Sequence, residues 1–373
     1  MHICFVVYEY LAHFNEPADL LKDYFSLTDW CEVLADNGCK ISAIIRFKED
    51  VHIAQPGIDY YFLKDAFGPR LKFWQIPHRL HQHLPTLQPD IVHSHNFNKV
   101  LQLRHLIKVI AGRQPILLQN HAEPPSYALR RLLQKRIFPQ VSRFLLPARG
   151  QEQLWLKHQL LPADKLRYLI EASTHFEPQP RAAAQQQSGL HGDPIFLWVG
   201  NLNANKDPMT ILSAFEGLLS KRPQARLYMI YRYDDMIKSI RQRIASSTAL
   251  SGAVQMLGAM ERSALPAYYN SAHYFILGSH REGSAYSAME AIACGCVPIV
   301  TDIAAFRMLT DNGRIGALWP CGDVPALSAA IDEVLEQPWA EASARARQFF
   351  QKELSYPALS QKMITYYREM LMD

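Results

Sequence analysis

At 373 residues the chain has room for two domains with substantial cores, and 39 Lys and Arg against 35 Asp and Glu leave a formal charge of only +4. With a pI near 8.6 and no basic run interleaved with aromatics, nucleic acid is not the expected partner. Cys4, Cys31, Cys39, Cys294, Cys296 and Cys321 lack paired C-x-x-C spacing, which argues against zinc and for core thiols in a reducing cytosol. The opening MHICFVVYEY lacks the basic segment of a signal peptide and reads as a first strand, and no segment reaches membrane-spanning length.

In the first half, short apolar runs at Ile3–Tyr8, Ile41–Phe47, Asp90–His93, Pro115–Gln119, Arg143–Leu146 and Arg167–Ile170 alternate with amphipathic stretches, the rhythm of a parallel α/β sheet. His93 and His95 lie in the DIVHSHN run; only one is expected to face a cleft, and both are treated as structural. Arg130, Arg131, Lys135 and Arg136 form a basic helix with two readings, contact with an anionic acceptor or a membrane surface, or a solvated face, the commoner fate of charge runs. The segment Glu177–Pro194 breaks the rhythm with prolines, glutamines and glycines and reads as a linker. Alternation resumes at Ile195–Val199, Arg226–Tyr231, Val254–Leu257, Tyr274–Gly278 and Val297–Val300. Asp234-Asp235 opens a helix there rather than forming a metal site. Beyond Asp323 the chain reads as helical, through Ala326–Leu335, Ala340–Leu354 and Ala358–Met372. The expected division is a Rossmann-like domain over 1–176, a linker over 177–193, a second Rossmann-like domain over 194–338, and helices over 339–373 packing back on the first domain. No repeat of solenoid length is present.

Two stretches carry chemistry. In SHREGSAYSAMEAIACGCVPIV (Ser279–Val300), Glu282-Gly283 follows a buried strand and opens a helix, with Glu290 eight positions after Glu282. Ligands of open parallel sheets bind at such carboxyl-end loops, and the amides of Gly283, Ser284, Ala285 and Tyr286 attract phosphate. Glu290, just off the buried stripe of that helix, can accept two hydrogen bonds from a vicinal diol such as a ribose. Each glutamate alone has a plain explanation, as a solvated helix residue or a partner of the helix dipole; the combination with Gly283 and the small residues Ala288, Ala291 and Ala293 favours a site. In FLWVGNLNANKDPMTILSAF (Phe196–Phe215), Asp207 and Pro208 cap a helix and Lys206 sits at its positive end, an unfavourable place unless an anion lies between. Together the loops suit the two phosphates of one diphosphate.

GNLNANKDP and the Glu282/Glu290 element with its ACGCVPIVT continuation resemble the retaining, nucleotide-sugar-dependent glycosyltransferases of GT-B fold, family 4, most strongly over 194–327. The resemblance implies an α/β fold of two facing Rossmann-like parallel-sheet domains with a helical C-terminal tail. It implies that Glu282 contacts hydroxyls of the donor sugar, Glu290 holds the ribose, Gly283 to Tyr286 touch diphosphate and sugar, and Lys206 binds phosphate. Asn201 stands where many members place arginine, and base contacts are expected near Met260. In the first domain, PILLQNHAEPP puts His121 where the family has a histidine beside the transferred sugar and acceptor; its plain reading is a strand-end histidine. The family's glycine pair after the first strand is missing from VVYEYLAHF.

The expected activity is transfer of a sugar from a nucleoside diphosphate, held by the second domain, to the hydroxyl of a glycan, lipid or small-molecule acceptor held by the first, with retention of anomeric configuration. Cleft closure would join the two. No cofactor or metal is expected, and the expected location is the cytoplasm or the inner face of a membrane. A nucleotide-sugar epimerase or hydrolase on the same architecture, and a non-catalytic nucleotide-sugar-binding subunit, are the alternatives. The absence of GxGxxG after the first strand, of GxxxxGK[ST] and of GxSxG counts against a dinucleotide dehydrogenase, a P-loop NTPase and an α/β-hydrolase.

Overall fold

A computed structural model describes residues 1–9 and 14–372. The chain forms two compact units, Met1–Ala172 with Tyr356–Asp373, and Ser173–Ser355.

Unit 1 contains β1 (His2–Val7), β2 (Lys40–Phe47), β3 (Val51–Gln55), β4 (Ile58–Lys64), β5 (Ile91–His95), β6 (Ile116–Gln119), β7 (Arg143–Leu146) and β8 (Leu166–Tyr168), in the order β3-β4-β2-β1-β5-β6-β7-β8. All neighbours are parallel except β3 and β4. The near-continuous burial of β1, β2 and β5 follows from parallel strands being covered by helices on both faces. The β3–β4 hairpin has no counterpart among the expected strands, because β3 is a mostly exposed edge without an apolar run. Its signal was the Pro56-Gly57 turn, where Gly57 adopts φ +77°. Buried Arg46 chelates Asp65 at 2.5 and 2.9 Å and donates to the Tyr8 carbonyl at 2.7 Å, anchoring the carboxyl ends of β1 and β2.

Unit 2 contains β9 (Ile195–Val199), β10 (Arg226–Ile230), β11 (Val254–Gly258), β12 (Tyr274–Leu277), β13 (Val297–Thr301) and β14 (Ala317–Trp319), all parallel, in the order β11-β10-β9-β12-β13-β14. The segment read as a linker contains the helix Arg181–Ser188, packed on the helix Leu265–Ser271. Ala and Gln are good helix formers, so RAAAQQQS folds despite its polarity. Asn270 accepts from the Gln179 amide at 2.7 Å, and Arg181 lies 3.5 Å over the Trp339 ring.

The C-terminal helices are Val324–Glu336, Trp339–Phe349 continuing as a π-helical turn over Phe350–Leu354, and Tyr356–Met372. The first two belong to unit 2 and the last to unit 1. That last helix packs on the helix Phe25–Asp36, and its Tyr367 hydroxyl meets His93 Nδ1 at 2.7 Å inside the core. His93 Nε2 meets Gln119 Oε1 at 2.8 Å. Burial pushes the imidazole down to about 3, so His93 is neutral and needs both partners. Tyr367→Phe should therefore lower stability by about 1–3 kcal/mol, the penalty of leaving a buried polar atom unpaired. Urea unfolding at unchanged m value checks this; equal stability would show that the hydroxyl does not satisfy His93.

Candidate functional site

From β9 the chain of unit 2 runs outward through β10 to β11, then returns to β12 on the other side of β9 and continues to β13 and β14. The topological switch point, where ligands of open α/β sheets bind, thus lies between β9 and β12. Both chemistry-bearing loops emerge there.

The loop after β9 is shaped by Asn203, whose Oδ1 accepts from the Lys206 amide at 3.1 Å, and by Asp207, whose carboxylate accepts from Thr210 N at 3.3 Å to cap the helix Pro208–Leu219. The second loop lies against it. His280 N donates to Asn205 O at 2.8 Å, and Asn205 Nδ2 to Arg281 O at 3.0 Å. Gly278 makes this approach feasible: a Cβ there would stand 3.1 Å from the Asp207 carbonyl oxygen and 3.3 Å from that of Lys206. The seam brings Lys206 Nζ onto Glu282 Oε1 in a close ion pair, with the side chains 16% and 13% exposed. Gly283 and Tyr286 are half-buried, and Ser284 and Ala285 buried, at the start of the helix Tyr286–Cys294. Ala285, the N-cap at φ +48°, has no side-chain acceptor for the first-turn amides.

Glu290 departs from the sequence expectation. The helix is buried throughout Ala288–Cys294, because the helices Leu265–Ser271 and Trp339–Phe349 cover the sides that the sheet does not. Glu290 is therefore a buried carboxylate rather than one at the edge of a stripe. Tyr269 donates its hydroxyl to Oε2 at 3.1 Å, and Arg262 Nη1 lies 2.9 Å from Oε1 without hydrogen-bond alignment, so Oε1 has no hydrogen-bond donor among the described residues. Burial raises the Glu290 pKa, and the Arg262 charge and the Tyr269 hydroxyl oppose it. Arg262 and Tyr269 are site residues that sequence reasoning missed. Met260 is half-buried in the loop between β11 and Arg262; Asn201 is half-buried, with its carbonyl accepting from Asn203 N at 2.8 Å.

In unit 1 the switch point lies between β1 and β5. Residues 10–13, which belong to the loop lacking the glycine pair, fall outside the described residues. His121, two residues beyond β6, places Nδ1 3.1 Å from Glu171 Oε1 and Nε2 3.0 Å from His95 Nδ1. The rings of His93 and His95 stack at 5.0 Å, and those of His95 and His121 at 5.2 Å. The two rings share a face, as residues two apart on a strand do, with His93 fully buried and His95 half-buried at the strand end. Burial drives the His95 pKa well down. It also lowers that of His121, but the Glu171 hydrogen bond and charge, with Glu123 and Glu9 beyond, outweigh it and leave the value raised. Glu171 had no sequence signal, standing fifty residues from its partner.

Two parallel α/β units with loops gathered at their switch points form a GT-B glycosyltransferase fold. The glycosyltransferase from Rickettsia africae superposes with a TM-score of 0.77 at 14% identity over 100% of this chain and 99% of its own. Sucrose-phosphate synthase from Thermosynechococcus elongatus does so at 0.72 and 20% identity over the whole of both chains. The Anabaena protein HepE, solved with UDP and glucose, does so at 0.71 and 14% identity over 99% of this chain and 100% of its own. The family model for glycosyl transferases group 1 matches residues 180–352, and that for glycosyltransferase family 4 matches residues 26–169. The chain belongs to the group 1, family 4 glycosyltransferases. It is similar to GDP-mannose:cellobiosyl-diphosphopolyprenol alpha-mannosyltransferase of Xanthomonas campestris (24% identity, covering 69% of this chain and 67% of that one). It is also similar to D-inositol 3-phosphate glycosyltransferase of Thermobispora bispora (25% identity, covering 44% and 40%), so the match spans less than half of that relative's length.

Glu171→Gln should lower the His121 pKa, measurable by histidine NMR titration; an unmoved titration would remove Glu171 as the cause. Because the folded-state value is raised, the stability drawn from this pair is complete below the unfolded pKa of about 6.5 and is lost as pH rises through the folded value. The stability gap between wild type and Glu171→Gln should accordingly close in alkali.

Proposed function

We propose that the protein transfers a sugar from a nucleoside diphosphate to an acceptor hydroxyl, with retention of configuration and without a metal ion. The observation that carries this reading is the Lys206–Glu282 pair at the switch point of unit 2. A diphosphate bears more charge than one carboxylate, so it displaces Glu282 from the ammonium and releases the Glu282 oxygens for sugar hydroxyls. The bond from the anomeric carbon to phosphate oxygen breaks with its electron pair going to the phosphate, where Lys206 and the amides of Gly283, Ser284, Ala285 and Tyr286 meet the developing charge. The acceptor oxygen bonds to the anomeric carbon, and its proton passes to the departing phosphate.

Glu290 takes the ribose diol, with Arg262 favouring its ionised form. Asn201 serves a phosphate as a neutral donor in place of arginine, and Met260 flanks the base. The acceptor is assigned to unit 1, at the His121 end of β6, where His121 hydrogen-bonds sugar hydroxyls. The six cysteines are unpaired, which suits a reducing cytoplasm. No helix among the described residues is long and apolar enough to cross a membrane.

A thermal-shift screen across nucleotide sugars should reveal the donor, since a tight ligand stabilises the folded state by mass action. With that donor, Glu290→Ala should lower kcat/KM by roughly 10- to 100-fold, the equivalent of a charged hydrogen bond of about 1.5–3 kcal/mol; unchanged donor kinetics would remove it from the site. Lys206→Ala should lower turnover as well as affinity, because phosphate charge grows in the transition state. Survival of both would sink the phosphate clamp. Product analysis separates transfer from epimerisation or hydrolysis, and binding without turnover would mark a non-catalytic subunit.

A further inference from the structure

The helix Ala128–Ile137 begins seven residues after His121 and presents an unusual outer face. Gln134 and Ile137 are buried and define its inner side. The opposite side carries Leu129 and Leu132, 77% and 61% exposed, with Lys135 and Arg136 one turn further on. Tyr127, just before the helix, is 88% exposed. Single exposed apolar residues are ordinary, but here neighbouring segments add to the set. The Arg130 guanidinium lies 4.1 Å over the Phe73 ring, which brings the Lys72–Trp74 turn beside the helix, and Trp74 is 69% exposed. Arg131 reaches the His158 ring at 2.8 Å on the other flank, next to the helix Gln153–Lys157, whose Leu154 is 53% exposed.

Charge decides what this face suits. No Asp or Glu occurs in residues 124–151, which hold Arg130, Arg131, Lys135, Arg136, Arg143 and Arg149. None occurs in residues 66–89, where Arg70 and Lys72 precede Phe73 and Trp74, while Arg79 is paired with Asp50. A second copy of the chain would set two such basic faces against each other in a symmetric dimer, an unfavourable pairing. Nucleic acid would match the charge, but it offers leucines on a solvent face nothing comparable to acyl chains. A bilayer with anionic headgroups matches both features, since leucines enter the acyl boundary, Trp and Tyr occupy the interface, and cations meet the headgroups.

We propose that the Leu129/Leu132 face of this helix, with Trp74 and Tyr127, docks on an anionic lipid surface, and that the acceptor is therefore the hydroxyl of a lipid-linked molecule. The second clause rests on the transferase reading; the docking does not. Only residues 122–127 separate His121 from the helix, a span of at most roughly 25 Å even fully extended. Docking thus holds the acceptor end of unit 1 close to the headgroups.

The test is co-sedimentation of the full chain with vesicles of phosphatidylcholine alone or mixed with phosphatidylglycerol. Binding should be confined to the anionic vesicles, weaken with salt, and fall by at least about 10-fold in the double variant Leu129→Glu/Leu132→Glu and in Lys135→Glu/Arg136→Glu. All four positions are at the surface, and nucleotide-sugar thermal stabilisation, a property of unit 2, should not change. Equal binding to both vesicle types, no binding, or binding indifferent to the leucine pair would overturn the proposal. So would vesicle-independent self-association that the leucine variant abolishes, which assigns the face to a second copy, or retention on single-stranded DNA in preference to vesicles. Anionic-vesicle binding by a protein that uses no donor would leave the docking standing and sink the transferase reading; donor use without vesicle binding would do the reverse.

Discussion

The candidate donor site depends on how closely two loops meet. β9 and β12 are neighbours only because the chain of unit 2 reverses its direction of travel across the sheet, and their loops are then packed backbone to backbone. Gly278 permits this packing, because a Cβ there would stand 3.1 and 3.3 Å from two carbonyl oxygens of the other loop. That contact fixes Lys206 against Glu282 and sets the ammonium at the start of two helices at once. Electrostatics follows from this arrangement: a cation at a helix N-terminus is ordinarily unfavourable, and here a carboxylate from the facing loop compensates it.

The local half of this arrangement was legible in the sequence. Gly200 to Pro208 and Glu282 to Glu290 are each a strand, a turn and a helix start within a few residues, and such units carry their own signals in caps, glycines and apolar runs. What could not be read was partnership at a distance. Lys206 and Glu282 lie 76 residues apart, and His121 and Glu171 lie 50 apart, with no periodicity linking them. Glu290 was misplaced for another reason: amphipathic reasoning assumes one wet side, and a helix covered on every side offers no stripe to read. Among the strands, β14 is only three residues long and β3 a mostly exposed edge, so neither has the apolar run on which strand recognition relies.

The two units handle charge differently. In unit 2 the buried carboxylate Glu290 is kept near an arginine, so its ionised form is supported where burial opposes it. Unit 1 instead stacks imidazoles, neutral His93 and His95 in the interior and His121 at the mouth beside Glu171. The change from a lowered to a raised imidazole pKa along one column is set by distance from Glu171 and by depth, without any change in residue type.

The last helix has a consequence for how the molecule is made. Unit 2 is one uninterrupted stretch and has all its parts once residue 355 has left the ribosome, whereas unit 1 is split and lacks Tyr367 until residues beyond unit 2 have followed. His93, buried against that tyrosine, must wait for a partner 274 positions further along the chain. Domains generally complete in order from the N-terminus. In this chain the unit that begins first finishes last, and the sheet of unit 2 can be assembled while unit 1 is still missing a helix.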